Sequence, residues 1–89
     1  MPKLEYSYRF ADDLARVTSA QVEKRIYENL DNIEAFGAFG SSNVPDSIKQ
    51  RFGDAVRKVA TNPFDLVYTY ELDTDTAHIE ALILQRTAS

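Results

Sequence analysis

The residues of this chain able to do chemistry are few and mostly cationic or phenolic. Lys49, Arg51, Arg57 and Lys58 cluster within ten residues, opposed there only by Asp54. Tyr68, His78 and Arg86 follow at wide spacing. There is no cysteine and a single histidine, which leaves too few soft ligands for a zinc site. Asp73 and Asp75 lack the further acids and the glycine at fixed spacing of a calcium loop. Ser41-Ser42 has no nucleophile-elbow context, and no glycine pattern cradles phosphate. The inventory suits metal-free cleavage of RNA, which needs a base for the ribose 2′-hydroxyl, cations for the developing phosphate charge and a proton donor for the leaving group. Arg57 and Lys58 can stabilise charge, Tyr68 or His78 can move protons, and Arg86 can clamp a second phosphate oxygen. Each also has a plainer use. Tyr68 falls on the same strand face as Phe64, Leu66 and Tyr70, where aromatic rings pack cores. Arg57 has Asp54 or Asp65 to pair with, a surface contact of about 0–1 kcal/mol, and Arg86 can hold a carboxylate of a neighbouring strand.

The charge balance narrows the field. At 89 residues the chain predicts one domain, 1–89, with a modest core. Its net charge is −4 and its isoelectric point about 4.8, which argues against broad non-specific nucleic-acid binding. Residues 65–80 carry Asp65, Glu71, Asp73, Asp75 and Glu80 without a lysine or arginine. Any anion site is therefore expected around residues 49–58. No apolar run approaches the ~20 residues that span a bilayer, and Met-Pro-Lys-Leu-Glu-Tyr lacks the apolar core of a secretion signal. The absence of cysteine is compatible with a reducing compartment, so a cytosolic protein is expected.

The elements that must position these residues are legible from periodicity. Leu4, Tyr6, Tyr8 and Phe10 alternate with Glu5, Ser7 and Arg9, predicting a half-buried strand over residues 4–10. Asp12 and Asp13 then suit a helix start. Thr18 with Gln21 reads as a capping box, Val17 with Val22 as its apolar staple. Val22, Ile26, Leu30 and Ile33 form one stripe of an amphipathic helix, and Gly37 ends it. Residues 37–43 are loop by composition. Pro45 to Phe52 predicts a helical turn closed by Gly53. Strands are expected at 55–60, 64–72 and 77–84, with turns at Asn62-Pro63 and Asp73–Thr76. The order β-α-α-β-β-β predicts an α+β fold, a small antiparallel sheet with a helical hairpin packed on one face.

Several of these segments together resemble the RelE/ParE family of bacterial toxins. They are Ala11-x-Asp13-Leu14 after the first strand, Gly53 followed by Val56-Arg57-Lys58-Val59, the aromatic-led strand from Phe64 to Tyr68, and a last strand closing on Arg86. The resemblance covers nearly the whole chain. It implies the toxin of a type II toxin–antitoxin pair, without cofactor or metal, neutralised by a cognate antitoxin and free to form a homodimer. Two routes to growth inhibition are implied: binding DNA gyrase, as ParE-like members do, or cleaving messenger RNA on the ribosome, as RelE-like members do. For the second route the matching positions are Arg57, Lys58, Tyr68 and Arg86. For the antitoxin, Lys49, Arg51 and Arg57 offer cations to acidic partner residues. Nuclease members often carry aromatic-Arg-aliphatic-aliphatic-Tyr on the central strand. Here the strand reads Phe64-Asp65-Leu66-Val67-Tyr68, and Thr87-Ala88-Ser89 supplies no acid–base group after Arg86. Both departures favour the gyrase-binding route. A non-toxic α+β interaction module is the remaining alternative.

Overall fold

A computed structural model of the chain describes residues 1–85. Strand β1 (Lys3–Tyr6) leads into helices α1 (Tyr8–Ala15) and α2 (Ala20–Phe36), a short helix α3 (Asp46–Phe52), and strands β2 (Val56–Thr61), β3 (Phe64–Glu71) and β4 (Thr76–Leu84). The α+β class and the element order agree with the sequence expectation; α3 is the helical turn expected over 45–52. Arg86 lies outside the described residues. Among those described, no helix is long and apolar enough to cross a membrane.

The first strand is shorter than its alternation predicts. Ser7 ends it by capping α1: its side chain accepts a hydrogen bond from the Phe10 amide at 2.9 Å. A serine able to cap overrides the period-two pattern, so Tyr8 is helical and 94% exposed while Phe10 turns into the core. The next helix likewise begins one residue later than expected. Ser19, not Thr18, is its cap, accepting from the Val22 amide at 3.3 Å. Gly37 closes α2 at a positive φ of 63°, which favours glycine, and donates its N–H to Ile33 O at 2.7 Å.

The sheet has the order β1-β4-β3-β2 and is mixed rather than antiparallel throughout. β2/β3 and β3/β4 are antiparallel, whereas β1 runs parallel to β4, with Leu4 opposite Ala77 and Tyr6 opposite Ile79. The helical segment carries the chain from one sheet edge to the other, and β2 starts in the same direction as β1. Two further antiparallel returns then bring β4 alongside β1 in parallel. The register slips between Val67 and Tyr68, which pair with Ala81 and Ile79, so Glu80 is an extra residue in β4. That bulge shifts the phase of β4: Ala77 and Ile79 before it and Leu82 after it all join one core.

That core packs Phe10 of α1 and Ile26, Leu30 and Ile33 of α2 on Leu66, Tyr68 and the β4 residues. The expected stripe therefore covers the expected face of β3. Tyr6 lies at its rim, 56% exposed and stacked on Phe10 at 5.8 Å. A second, smaller core forms on the opposite sheet face, where Val44 and Ile48 cover Val56 and Val67. Helix α1 runs past the end of β1 and closes the edge of β4 there. Ser7 donates its backbone N–H to Ile79 O at 3.0 Å and its hydroxyl to Glu80 O at 2.7 Å, and Asp13 Oδ2 accepts the Leu82 amide at 3.1 Å. Asp13, expected to favour a helix N-terminus, instead caps a strand edge. Asp13→Ala leaves the part-buried Leu82 amide without a partner, a loss of about 1–3 kcal/mol. The expected result is a midpoint lowered by roughly 4–8 °C per kcal/mol in a domain of this size, measured by thermal unfolding against Asp12→Ala, whose midpoint should be unchanged.

Candidate functional site

Strand alternation divides the central cations. Arg57 and Lys58 are adjacent on β2, so their side chains leave opposite faces of the sheet. Arg57 points to the α2 side, in register with Tyr68, and its Nη1–H donates to Gly40 O at 2.8 Å. Tyr68 is 0% exposed. Its hydroxyl donates to Gly37 O at 2.8 Å and accepts the Gly40 N–H at 2.7 Å. Burial pushes its phenol above the ordinary value, opposed by the hydrogen bond from Gly40 and the charge of Arg57. Gly40 must stay small here, since a Cβ would lie 2.9 Å from both Lys58 O and the Tyr68 ring. Ser41 continues the clasp, exchanging backbone hydrogen bonds with Lys58 at 2.9 and 3.0 Å. Arg57 and Tyr68 thus fasten the loop after α2 to the edge of the sheet.

Lys58 points the other way, into an open cleft of about 850 Å³ between α3 and the end of the sheet. Ile48, Ala60 and Ile83 supply apolar wall, and Arg51 of α3 borders it. Asp65 sits in the cleft with its side chain 15% exposed. Its Oδ2 is 3.6 Å from Lys58 Nζ, and its Oδ1 accepts a hydrogen bond from Gln85 Nε2 at 3.0 Å. Arg51 is exposed, with its guanidinium 5.3 Å from the centre of the Phe52 ring. Lys49 precedes it by two residues on the same short helix and is not part of the cleft lining. Of the sequence candidates, Lys58 and Arg51 are brought together, while Arg57 and Tyr68 belong to the other face. His78 lies elsewhere on β4. Its Nδ1 is 3.1 Å from Glu5 Oε1 and its Nε2 2.9 Å from Glu71 Oε1, a bracket spanning β1, β4 and β3.

Two features escaped the sequence reading. Gln85 as a partner of Asp65 is one; only the pairing of β3 with β4 brings them together. The other is an apolar groove of about 300 Å³ between α1, α2 and β1, built on Leu4, Phe10, Leu14 and Leu30 and rimmed by Asp31 and Glu34. The nearby exposed Tyr6 and Tyr27 were its available signal. Desolvation, then Glu34 and Asp31, raise the Tyr6 phenol above its ordinary value.

This architecture is found in the crystal structure of the intact E. coli RelBE toxin–antitoxin complex. The match has a TM-score of 0.68 over 98% of this chain and 100% of the other, at 11% sequence identity. The chain has the RelE/ParE-type toxin fold. No protein-family model and no curated protein matches the sequence. A likeness at this identity is one of backbone.

Proposed function

We propose that this protein is the toxin of a bacterial type II toxin–antitoxin pair and that it inhibits growth by binding a protein target, DNA gyrase in the manner of ParE-like toxins. The observation that carries the choice of route is the pairing of Lys58 with Asp65. The cation that the sheet offers to the cleft is met by the chain's own carboxylate, and the Tyr68 hydroxyl is consumed in the fold. Such a surface favours contact with protein side chains over stabilisation of a phosphate dianion. The cytoplasm, where gyrase works, is the site of action.

The cognate antitoxin has two surfaces to meet. The groove between α1, α2 and β1 offers apolar area with acids at its rim, suited to a segment carrying apolar anchors and a lysine or arginine. Arg51 and Lys49 on α3 suit acidic residues of the same partner. Arg57, half-buried and bonded to Gly40, contributes by holding the loop rather than by contact.

Induced expression should arrest growth, and co-expression of a small adjacent reading frame should relieve the arrest. Purified protein should inhibit gyrase supercoiling of relaxed plasmid, and purified antitoxin should restore it. Unimpaired supercoiling beside intact growth arrest would remove gyrase as the target. Absence of arrest, with a complex still formed, would favour the non-toxic interaction module.

A further inference from the structure

The contact between Lys58 and Asp65 is built into the sheet. Asp65 pairs in register with Ala60 on β2 and Ile83 on β4, and Lys58 is its diagonal neighbour two residues along β2. Strand geometry therefore presents the carboxylate to the ammonium, unlike an exposed pair that must order two free side chains. Gln85, just past the end of β4, donates to the second carboxylate oxygen. An ammonium and an amide N–H converging on one carboxylate constitute an oxyanion site. Its occupant is a side chain of the same protein. Apolar atoms of Ile48, Ala60 and Ile83 line the same cleft, which lowers the local dielectric and strengthens the contact.

We propose that Asp65 is the specificity determinant of this cleft: its carboxylate fills the oxyanion position made by Lys58 and Gln85 and thereby excludes a phosphodiester backbone. The inference rests on the cleft being the functional surface, but not on toxicity. A nucleic-acid phosphate entering between Arg51 and Lys58 meets a negative charge already seated where it must bind, and it must displace that charge from a position the sheet holds. Removing the charge while keeping the shape releases Lys58 for an external anion. Asp65→Asn does this, since its side-chain oxygen still accepts from Gln85.

The test compares the wild type, Asp65→Asn and the double variant Asp65→Asn/Lys58→Gln, each shown folded by circular dichroism. The probe is a fluorescein-labelled single-stranded RNA oligonucleotide of mixed sequence, read by anisotropy over a salt series. Asp65→Asn should tighten binding about tenfold at low salt, between the effect of removing one unit charge at contact distance in bulk water and that of removing it at a protein surface. It should also steepen the slope of log K against log salt by about 0.7, the share of one added phosphate contact on a single strand. The double variant should return both to the wild-type values. A titration with inorganic phosphate, followed by NMR, should move the Lys58 and Gln85 amides in Asp65→Asn and not in the wild type. Equal RNA binding by wild type and Asp65→Asn, or a gain that survives Lys58→Gln, overturns the proposal. Because binding is read on purified protein, neither result depends on whether gyrase is the target.

Discussion

Tyr68→Ala is expected to leave the chain largely unfolded at growth temperature. Truncating a fully buried aromatic costs about 3–5 kcal/mol, against a total stability of roughly 5–15 kcal/mol for a domain and the low end for a small one. Tyr68→Phe isolates the hydroxyl. It keeps the ring against the α2 layer but leaves the Gly40 N–H and Gly37 carbonyl without their partner, a loss of about 1–3 kcal/mol. Denaturant unfolding checks both values. An alkaline titration adds a second readout. Tyrosine is neutral in both states below its ordinary value of 10.0, so the fold has its full stability there. Above it the unfolded chain ionises first, because burial holds the folded phenol higher, and stability falls as pH rises through the folded value. Tyr68→Phe should lessen that fall, leaving the shares of Tyr6 and Tyr70, whose phenols are also raised. If Tyr68→Phe instead unfolds like the wild type while abolishing biological activity, the hydroxyl is a functional group and the assignment to packing fails.

The second large effect expected is an absence. Purified ribosomes translating a defined message should show no codon-specific cleavage when this protein is added. A nuclease centre needs donors aimed at the charge that develops on the phosphate. Loss of one such donor typically costs about 2.7–4 kcal/mol, a rate factor of about 10²–10³. Here Asp65 places a carboxylate 3.6 Å from the cleft's lysine, which opposes that charge as well as removing a donor. The net charge of −4 adds a weak long-range penalty toward ribosomal RNA. Lys58→Ala, Arg57→Ala and Arg86→Ala serve as controls. Robust cleavage that disappears in Lys58→Ala would overturn the gyrase-binding reading and restore the message-cleaving one. Cleavage that persists in all three would point to a contaminating nuclease. Arg57→Ala should act mainly through stability, since it releases the Gly40 carbonyl.

Elements whose pattern is local and long were legible in the order of residues. The stripe Val22–Ile33 has helical period and no competing cap within it, so the helix and its buried face follow directly. The alternation of Phe64, Leu66, Tyr68 and Tyr70 is likewise intrinsic to β3, and it placed Tyr68 on the apolar face before any fold was known. Arg57 and Lys58, read from the sequence as joint charge stabilisers, leave opposite faces of β2 instead, since neighbours on a strand cannot share a face. The resemblance to the RelE/ParE pattern identified the fold at an identity too low for residue-by-residue inference. The end of the first strand was locally ambiguous, because residues 4–10 satisfy both a strand pattern and a serine cap. The choice went to the helix that buries Phe10 and closes the open edge of β4. Contacts between separate strands and helices arise only once the chain has folded. The parallel pairing of β1 with β4, Asp13 on the Leu82 amide and Gln85 on Asp65 all join residues at least 20 apart, and the bulge at Glu80 is set by how β4 meets β3 rather than by either strand alone. Nothing in a local window encodes such register. It is set by which edge groups remain unpaired once the helices have packed, because each buried amide or carboxylate must find a partner wherever the fold has brought one.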